Sequence, residues 1–156
     1  MSPIVSLPRR TATLDEETRH LLAFYRNDGP AVMAEIGSQL TILAHRAQTL
    51  LSLAGITVTV TGFSGASIAR TGRVAAVLLV SGLVIVLVAA ALSITGILRV
   101  RWTTQIPPCS AEEAIKSALE VRDVKTRAFS RSLALLVVGL SLYVASIALM
   151  LLSNLG

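Results

Sequence analysis

Few side chains in this chain are equipped for covalent or metal chemistry. His20 and His45 stand far apart, and neither has a companion at a spacing that suits a metal site. Cys109, the single cysteine, follows Pro107 and Pro108 and has no neighbouring base to make it a nucleophile. One cysteine excludes an intrachain disulfide and suits a cytosol-facing position. No glycine-rich phosphate loop, HExxH or GxSxG is present. No catalytic, cofactor-binding or metal-ligating residue is assigned, and a non-enzymatic protein without a cofactor is expected.

The charged residues are grouped. Glu112, Glu113, Lys116, Glu120, Arg122, Asp123, Lys125 and Arg127 form a mixed series in which Glu112 and Lys116 stand four apart, the pattern of a solvated helix face. At its basic end Lys125, Arg127 and Arg131, with Arg99 and Arg101 upstream, offer contacts to lipid phosphate or to an anionic ligand such as a nucleotide. Snorkelling to a bilayer surface is the plainer reading of the same residues. The net charge of +5 is concentrated in such clusters, which in an apolar chain report topology before nucleic acid. No nucleic-acid partner is expected.

What positions these groups is a set of apolar runs. The chain is 53% hydrophobic and only 15% charged, with a mean hydropathy of +0.72, more apolar than a soluble domain of 156 residues. Val74 to Leu98 runs 25 residues without a charge, between Arg73 and Arg99. As a helix it extends about 37 Å, enough to cross a bilayer's hydrocarbon core with some tilt. Thr49 to Ala69 and Ser132 to Leu152 are also uncharged, each for 21 residues. Ile56 to Thr61 alternates like a strand, yet a lone strand in lipid leaves its backbone unpaired, so a helix is predicted there too.

The expected fold is an all-α integral membrane protein with three transmembrane helices. The predicted organisation is N-terminal cytosolic helices over 1–48, a first span over 49–69, an external turn at 70–73 and a second span over 74–98. A cytosolic loop and helical stalk over 99–131 then lead into a third span over 132–153. Pro3, Pro8, Arg9 and Arg10 followed by Asp15-Glu16-Glu17 do not make a signal peptide. Thr13 with Glu16, and Ser110 with Glu113, are capping-box pairs that open helices. A short amphipathic helix is predicted over 14–27, its apolar face on another cytosolic segment, ended by Asn27-Asp28-Gly29-Pro30. Ile106-Pro107-Pro108 ends the second span's continuation, and Trp102 suits an interfacial anchor. From Ala111 no Gly or Pro intervenes before Gly139, which predicts a stalk continuous with the third span.

Twelve of the 14 basic residues precede the first span or lie between the second and third. By the positive-inside rule both segments face the cytosol, which puts the N-terminus inside and the C-terminus outside. No Asp, Glu, Lys, Arg or His lies within a span, so a proton relay or charged-substrate path is disfavoured.

Each span carries small residues seven apart: Gly55, Gly62 and Ala69; Ala75, Gly82, Ala89 and Gly96; Ser132, Gly139, Ser146 and Ser153. Seven is close to two helical turns, so each set makes a narrow groove where another helix packs closely. The grooves serve either packing within one chain or homo-oligomerisation; three helices cannot use all three among themselves. Thr57, Thr61 and Ser64 share a face of the first span. Their hydroxyls either line a wet pore in an oligomer or bond back to their own helix.

The stretch Ala47-Gln-Thr-Leu50-Leu51-Ser52-Leu-Ala-Gly55-Ile56 resembles the start of the first span in the Pycsar effector membrane domain of bacterial antiphage systems. Lys125, Ser130-Arg131-Ser132 and the span containing Gly139 resemble that family's stalk and last helix. The resemblance covers roughly 45–153. It implies an inner-membrane effector that impairs the membrane when a cyclic pyrimidine nucleotide signals infection. The cytosolic segment between the second and third spans departs from the family in being short, and no nucleotide-binding residue is carried over. The alternative is a non-catalytic subunit or scaffold of a larger membrane complex, whose partners are lipid and another membrane protein. A small-molecule transporter fits worst, since polar intramembrane residues and repeats are lacking.

Overall fold

The computed structural model describes residues 12–70, 72–97 and 109–153, and every regular element among them is an α-helix. The order is α1 (Leu14–Phe24), α2 (Gly29–Arg70), α3 (Arg73–Gly96) and α4 (Ala111–Ser153). Leu98, Arg99, Arg101, Trp102 and the Ile106-Pro107-Pro108 stop lie outside the described residues.

Helix α1 starts where its capping box closes. The Thr13 amide donates to Glu16 Oε2 at 2.9 Å and the Glu16 amide donates to Thr13 Oγ1 at 3.3 Å. It stops three residues earlier than the predicted 27, because Arg26 and Asn27 turn left-handed with φ of 53° and 63°. Asn tolerates that conformation through its short polar side chain, and the Asn27 amide closes the turn on the Leu22 carbonyl at 2.8 Å. Asp28 then accepts from the Ala31 amide at 3.1 Å, and α2 begins.

Helix α2 is one unbroken helix of 42 residues, so the predicted membrane-proximal helix and first span are a single rod. The strand-like Ile56–Thr61 alternation is helical within it. Helix α4 is likewise continuous over 43 residues, stalk and span together, about 65 Å at 1.5 Å per residue. Its start is capped as expected: the Ser110 amide donates to Glu113 Oε2 at 3.0 Å and the Glu113 amide to Ser110 Oγ at 3.3 Å.

Three of these helices are long and apolar enough to span a bilayer. Their outer surfaces agree with that solvent: Phe63 is 87%, Val74 67% and Leu152 66% exposed. Large apolar side chains scattered over every outward face are stable in lipid and a liability in water. The last charges on the way in, Arg46 on α2 and Arg131 on α4, each stand just before the uncharged part of their helix.

The bundle is built on α3 and α4, which run antiparallel and pack closely along their length. Helix α2 lies along their seam, parallel to α4 and antiparallel to α3. Successive layers show the register. Leu43, Ala47 and Ile97 meet at one end; Leu50, Ala54, Val86, Ala89 and Leu136 form the middle; Ile68, Ala75, Leu79 and Tyr143 close the other end.

Beyond the spans, the leading ends of α2 and α4 continue side by side and α1 lies across them. Val32, Ile36, Ile115 and Leu119 form the buried centre of this headpiece, covered by Leu14, Leu21, Leu22 and Tyr25 of α1 and its turn. Burying such side chains away from water is worth about 1.5–3 kcal/mol each, and that drives α1 onto the stalk. Two ion pairs fix its position. Lys116 Nζ donates to Asp15 Oδ1 at 2.6 Å, and Arg122 forks onto Glu17 with Nη1 to Oε1 at 2.5 Å and Nη2 to Oε2 at 2.9 Å.

The Asp15 carboxyl is held below its usual range, first by the Lys116 hydrogen bond and then by the Lys116 charge. The Glu113 carboxyl is also lowered, by the Ser110 amide and hydroxyl. A lowered carboxylate contributes stability that is complete above its unfolded pKa and is lost as pH falls through the folded one. The headpiece is therefore expected to loosen below about pH 4 while the spans hold. Hydrogen exchange at 14–24 and 111–114 should accelerate first on acidification; equal acceleration within 82–92 would contradict this.

Candidate functional site

The small-residue grooves resolve into two kinds. In α3, Ala75, Gly82 and Ala89 are buried, and Gly96 is half-buried. In α4, Ser132, Gly139 and Ser146 are buried. These two sets face each other. A Cβ added to Gly82 would lie 2.8 Å from the Gly139 carbonyl oxygen and 3.1 Å from the Tyr143 amide nitrogen. A Cβ on Gly139 would lie 2.9 Å from the Gly82 carbonyl oxygen, and one on Gly96 would lie 2.8 Å from Ala128 Cβ. The backbones touch, which is the association small residues permit in lipid.

Helix α2 turns its set the other way. Gly55 and Gly62 are exposed, and a Cβ added to either meets nothing within 4 Å. The side chain of Ala69 lies outside the described residues. The bundle instead takes Leu50, Ala54, Thr57, Thr61, Gly65 and Ile68 from α2. This inner stripe is barely marked in the sequence. Its only signal was the bulk of Leu50 and Ile68, on a helix apolar all round.

The outward face of α2 has a consistent composition. Ser52, Gly55, Thr59, Gly62 and Ala66 recur at alternating steps of three and four, and all are exposed. Back toward the headpiece the same face continues through Gln48, His45, Thr41, Ser38 and Ala34, all exposed as well. Outward positions on α3 are largely branched and apolar: Val74, Val77, Val80, Val84, Leu87 and Ile94.

The hydroxyls bond locally. Thr57 Oγ1 donates to the Leu53 carbonyl at 2.9 Å, Thr61 Oγ1 to Thr57 at 2.7 Å and Ser64 Oγ to Val60 at 2.8 Å. Thr57 and Thr61 also point into the bundle, so the pore-lining alternative has no face to occupy there. Ser146 Oγ donates to the Tyr143 carbonyl at 2.6 Å and Ser153 Oγ to Met150 at 2.9 Å. Ser93 and Ser132 are wholly buried, and their hydroxyls have no partner among the described residues. Their small volume is what the contact uses.

Three of the five candidate anion contacts lie among the described residues. Lys125 Nζ donates to the Ile97 carbonyl at 2.9 Å, satisfying an end of α3. Arg127 is exposed and donates Nε to the Asp123 carbonyl at 3.3 Å; Arg131 is exposed. Arg99 and Arg101 lie outside the described residues. Lys116 pairs with Asp15 of α1 rather than with Glu112, since the headpiece brings a second carboxylate closer.

A different pair of arginines does share a concave surface. Between α2 and α4, where the spans begin, a groove of about 270 Å³ is lined by Gln39, Ile42, Leu43 and Arg46 on one side and Arg122, Thr126 and Phe129 on the other. The signal in the sequence was the 122, 126, 129 spacing, which places three residues on one helical face.

No protein-family model, curated protein or solved structure matches the chain.

Proposed function

We propose that the protein is a non-enzymatic homo-oligomer of the bacterial inner membrane, assembled along the outward face of α2, and that the assembled form impairs the membrane. The observation that carries this reading is the exposed small-residue face from Ser52 to Ala66, with Gly55 and Gly62 open to space. Lipid offers no reason to keep large apolar side chains off one outward stripe, whereas a second helix at close range does. Phe63 stands beside that stripe, 87% exposed, as a knob next to the hole at Gly62. The order of helix, hairpin, stalk and last span, with its Pycsar-like residues, supports the effector role. The distribution of basic residues supports a cytosolic headpiece. A cyclic nucleotide enters only through the resemblance.

Gly55→Ile and Gly62→Ile are expected to reduce a native-gel or photobleaching oligomer to monomer in nanodiscs, with helix content and thermal midpoint retained. Induced wild type is expected to depolarise cells, and both variants to spare them. A wild type that stays monomeric, or variants that assemble normally, would refute assembly through α2. An assembled wild type that leaves the potential intact would make the oligomer a scaffold and overturn the effector role.

A further inference from the structure

The groove between α2 and α4 joins two features that seldom coincide on a water-facing surface. Its walls are apolar, from Ile42, Leu43 and Phe129, and its rim is polar, from Gln39, Arg46, Arg122 and Thr126. It sits at the depth where both helices lose their charges, just before Thr49 on α2 and Ser132 on α4.

The two arginines are not equivalent. Arg122 gives Nη1 and Nη2 to Glu17 and Nε and Nη2 to Asp123, so two carboxylates already share its one charge. Arg46 is exposed and has no ion-pair or hydrogen-bond partner among the described residues. Gln39 commits one N–H to Glu35 Oε1 at 3.1 Å and keeps its carbonyl oxygen as an acceptor. Thr126 donates its hydroxyl to the Arg122 carbonyl at 2.8 Å and keeps its oxygen lone pairs. Among the described residues, the rim thus offers Arg46 as a free cation beside acceptors for hydroxyl donors. Below it, Phe129 and then Leu133, which is 44% exposed, lead down α4 into the hydrocarbon layer.

We infer that this groove binds the phosphodiester headgroup of an anionic phospholipid, with Arg46 on the phosphate and acyl chains leaving past Phe129. Basic pockets between membrane helices at the charged side of a bilayer recognise such headgroups, and a charge-assisted contact to phosphate is among the stronger hydrogen bonds. A polyol headgroup complements the rim, because its hydroxyls donate to Gln39 and Thr126. Arg122 lines the α4 side of the groove, and its fork onto Glu17 ties the groove to the docking of α1. The inference concerns a single protomer and does not rest on assembly.

The test compares full-length protein in phosphatidylcholine nanodiscs with and without phosphatidylglycerol, reading the thermal midpoint and the lipid retained in native mass spectra. Wild type is expected to retain phosphatidylglycerol and gain stability. Arg46→Gln should weaken retention about ten-fold, the scale of one lost charged hydrogen bond. Arg46→Lys is expected to restore part of it. Arg131→Gln removes an equal charge outside the groove and is expected to change little. If Arg131→Gln and Arg46→Gln weaken retention equally, binding is diffuse surface attraction and the site is refuted. If inorganic phosphate protects wild type as well as the lipid does, the groove is a soluble-anion site and the lipid assignment fails.

Discussion

Gly82→Ile and Gly139→Ile are each expected to abolish the native bundle. At this crossing the α3 and α4 backbones are in contact, and even one carbon at Gly82 must come within 2.8 Å of a carbonyl oxygen. The obstruction is backbone, not the far end of a flexible side chain, so relief requires the helices to part. Separation would open the layer of Val86, Ala89 and Leu136 to lipid and forfeit the dispersion contacts that hold it. Gly82→Ala alone should cost about 1–3 kcal/mol, the range for overpacking a tight contact. Gly82→Ala with Gly139→Ala should cost less than the sum, because the first methyl already pays the separation for the second. Gly62→Ala provides the control: nothing lies within 4 Å of the added carbon, so the protomer should be unchanged or slightly more stable. Thermal unfolding in a mild detergent distinguishes these outcomes, and a Gly82→Ala midpoint equal to wild type would contradict the close crossing.

The second large effect is expected at the headpiece. Arg122→Ala leaves Glu17, whose side chain is only 27% exposed, without its forked partner on a surface already carrying Asp123. The expected cost is about 1.5–3 kcal/mol, since a charged hydrogen-bond partner is removed from a partly buried carboxylate. That loss should localise. Among the described residues, helix α1 meets the rest of the fold through one apolar face and the Lys116–Asp15 and Arg122–Glu17 pairs, so it should undock before the spans respond. Faster hydrogen exchange and protease cleavage within 14–24, with the thermal transition of the spans retained, would show it. Glu17→Gln should cost less, as an amide still accepts from Arg122. A double-mutant cycle of Arg122→Ala with Glu17→Ala should show coupling; strict additivity would mean the fork contributes nothing.

These effects separate what local chemistry dictates from what only packing chooses. Three spans, two capping boxes and the unbroken stalk follow from the absence of charge over 20 or so residues and from Thr13, Glu16, Ser110 and Glu113 at helix-start spacing. Each is a short-range rule, because a backbone in lipid must satisfy itself and an exposed amide needs a cap. The end of α1 was misplaced by three residues because Arg26 adopts a left-handed conformation that its residue type does not announce.

The choice of inward face obeys no such rule. In water, the apolar side of a helix reveals the core; in a bilayer, both sides are apolar and the signal vanishes. Gly55 and Gly62 therefore look the same in sequence as Gly82 and Gly139, although one pair is open and the other is pressed to backbone contact. The partners of Lys116 and Arg122 also lay out of reach: Asp15 and Glu17 are 101 and 105 residues away, while Glu112 offered a nearer match. The groove at Arg46 exists only because α2 and α4 run parallel past the bilayer edge. The sequence by itself determined that this chain enters a membrane and how many helices it brings. Tertiary structure decided which small-residue face packs inward and which stays exposed, because shape complementarity between helices, not hydrophobicity, selects contacts in lipid.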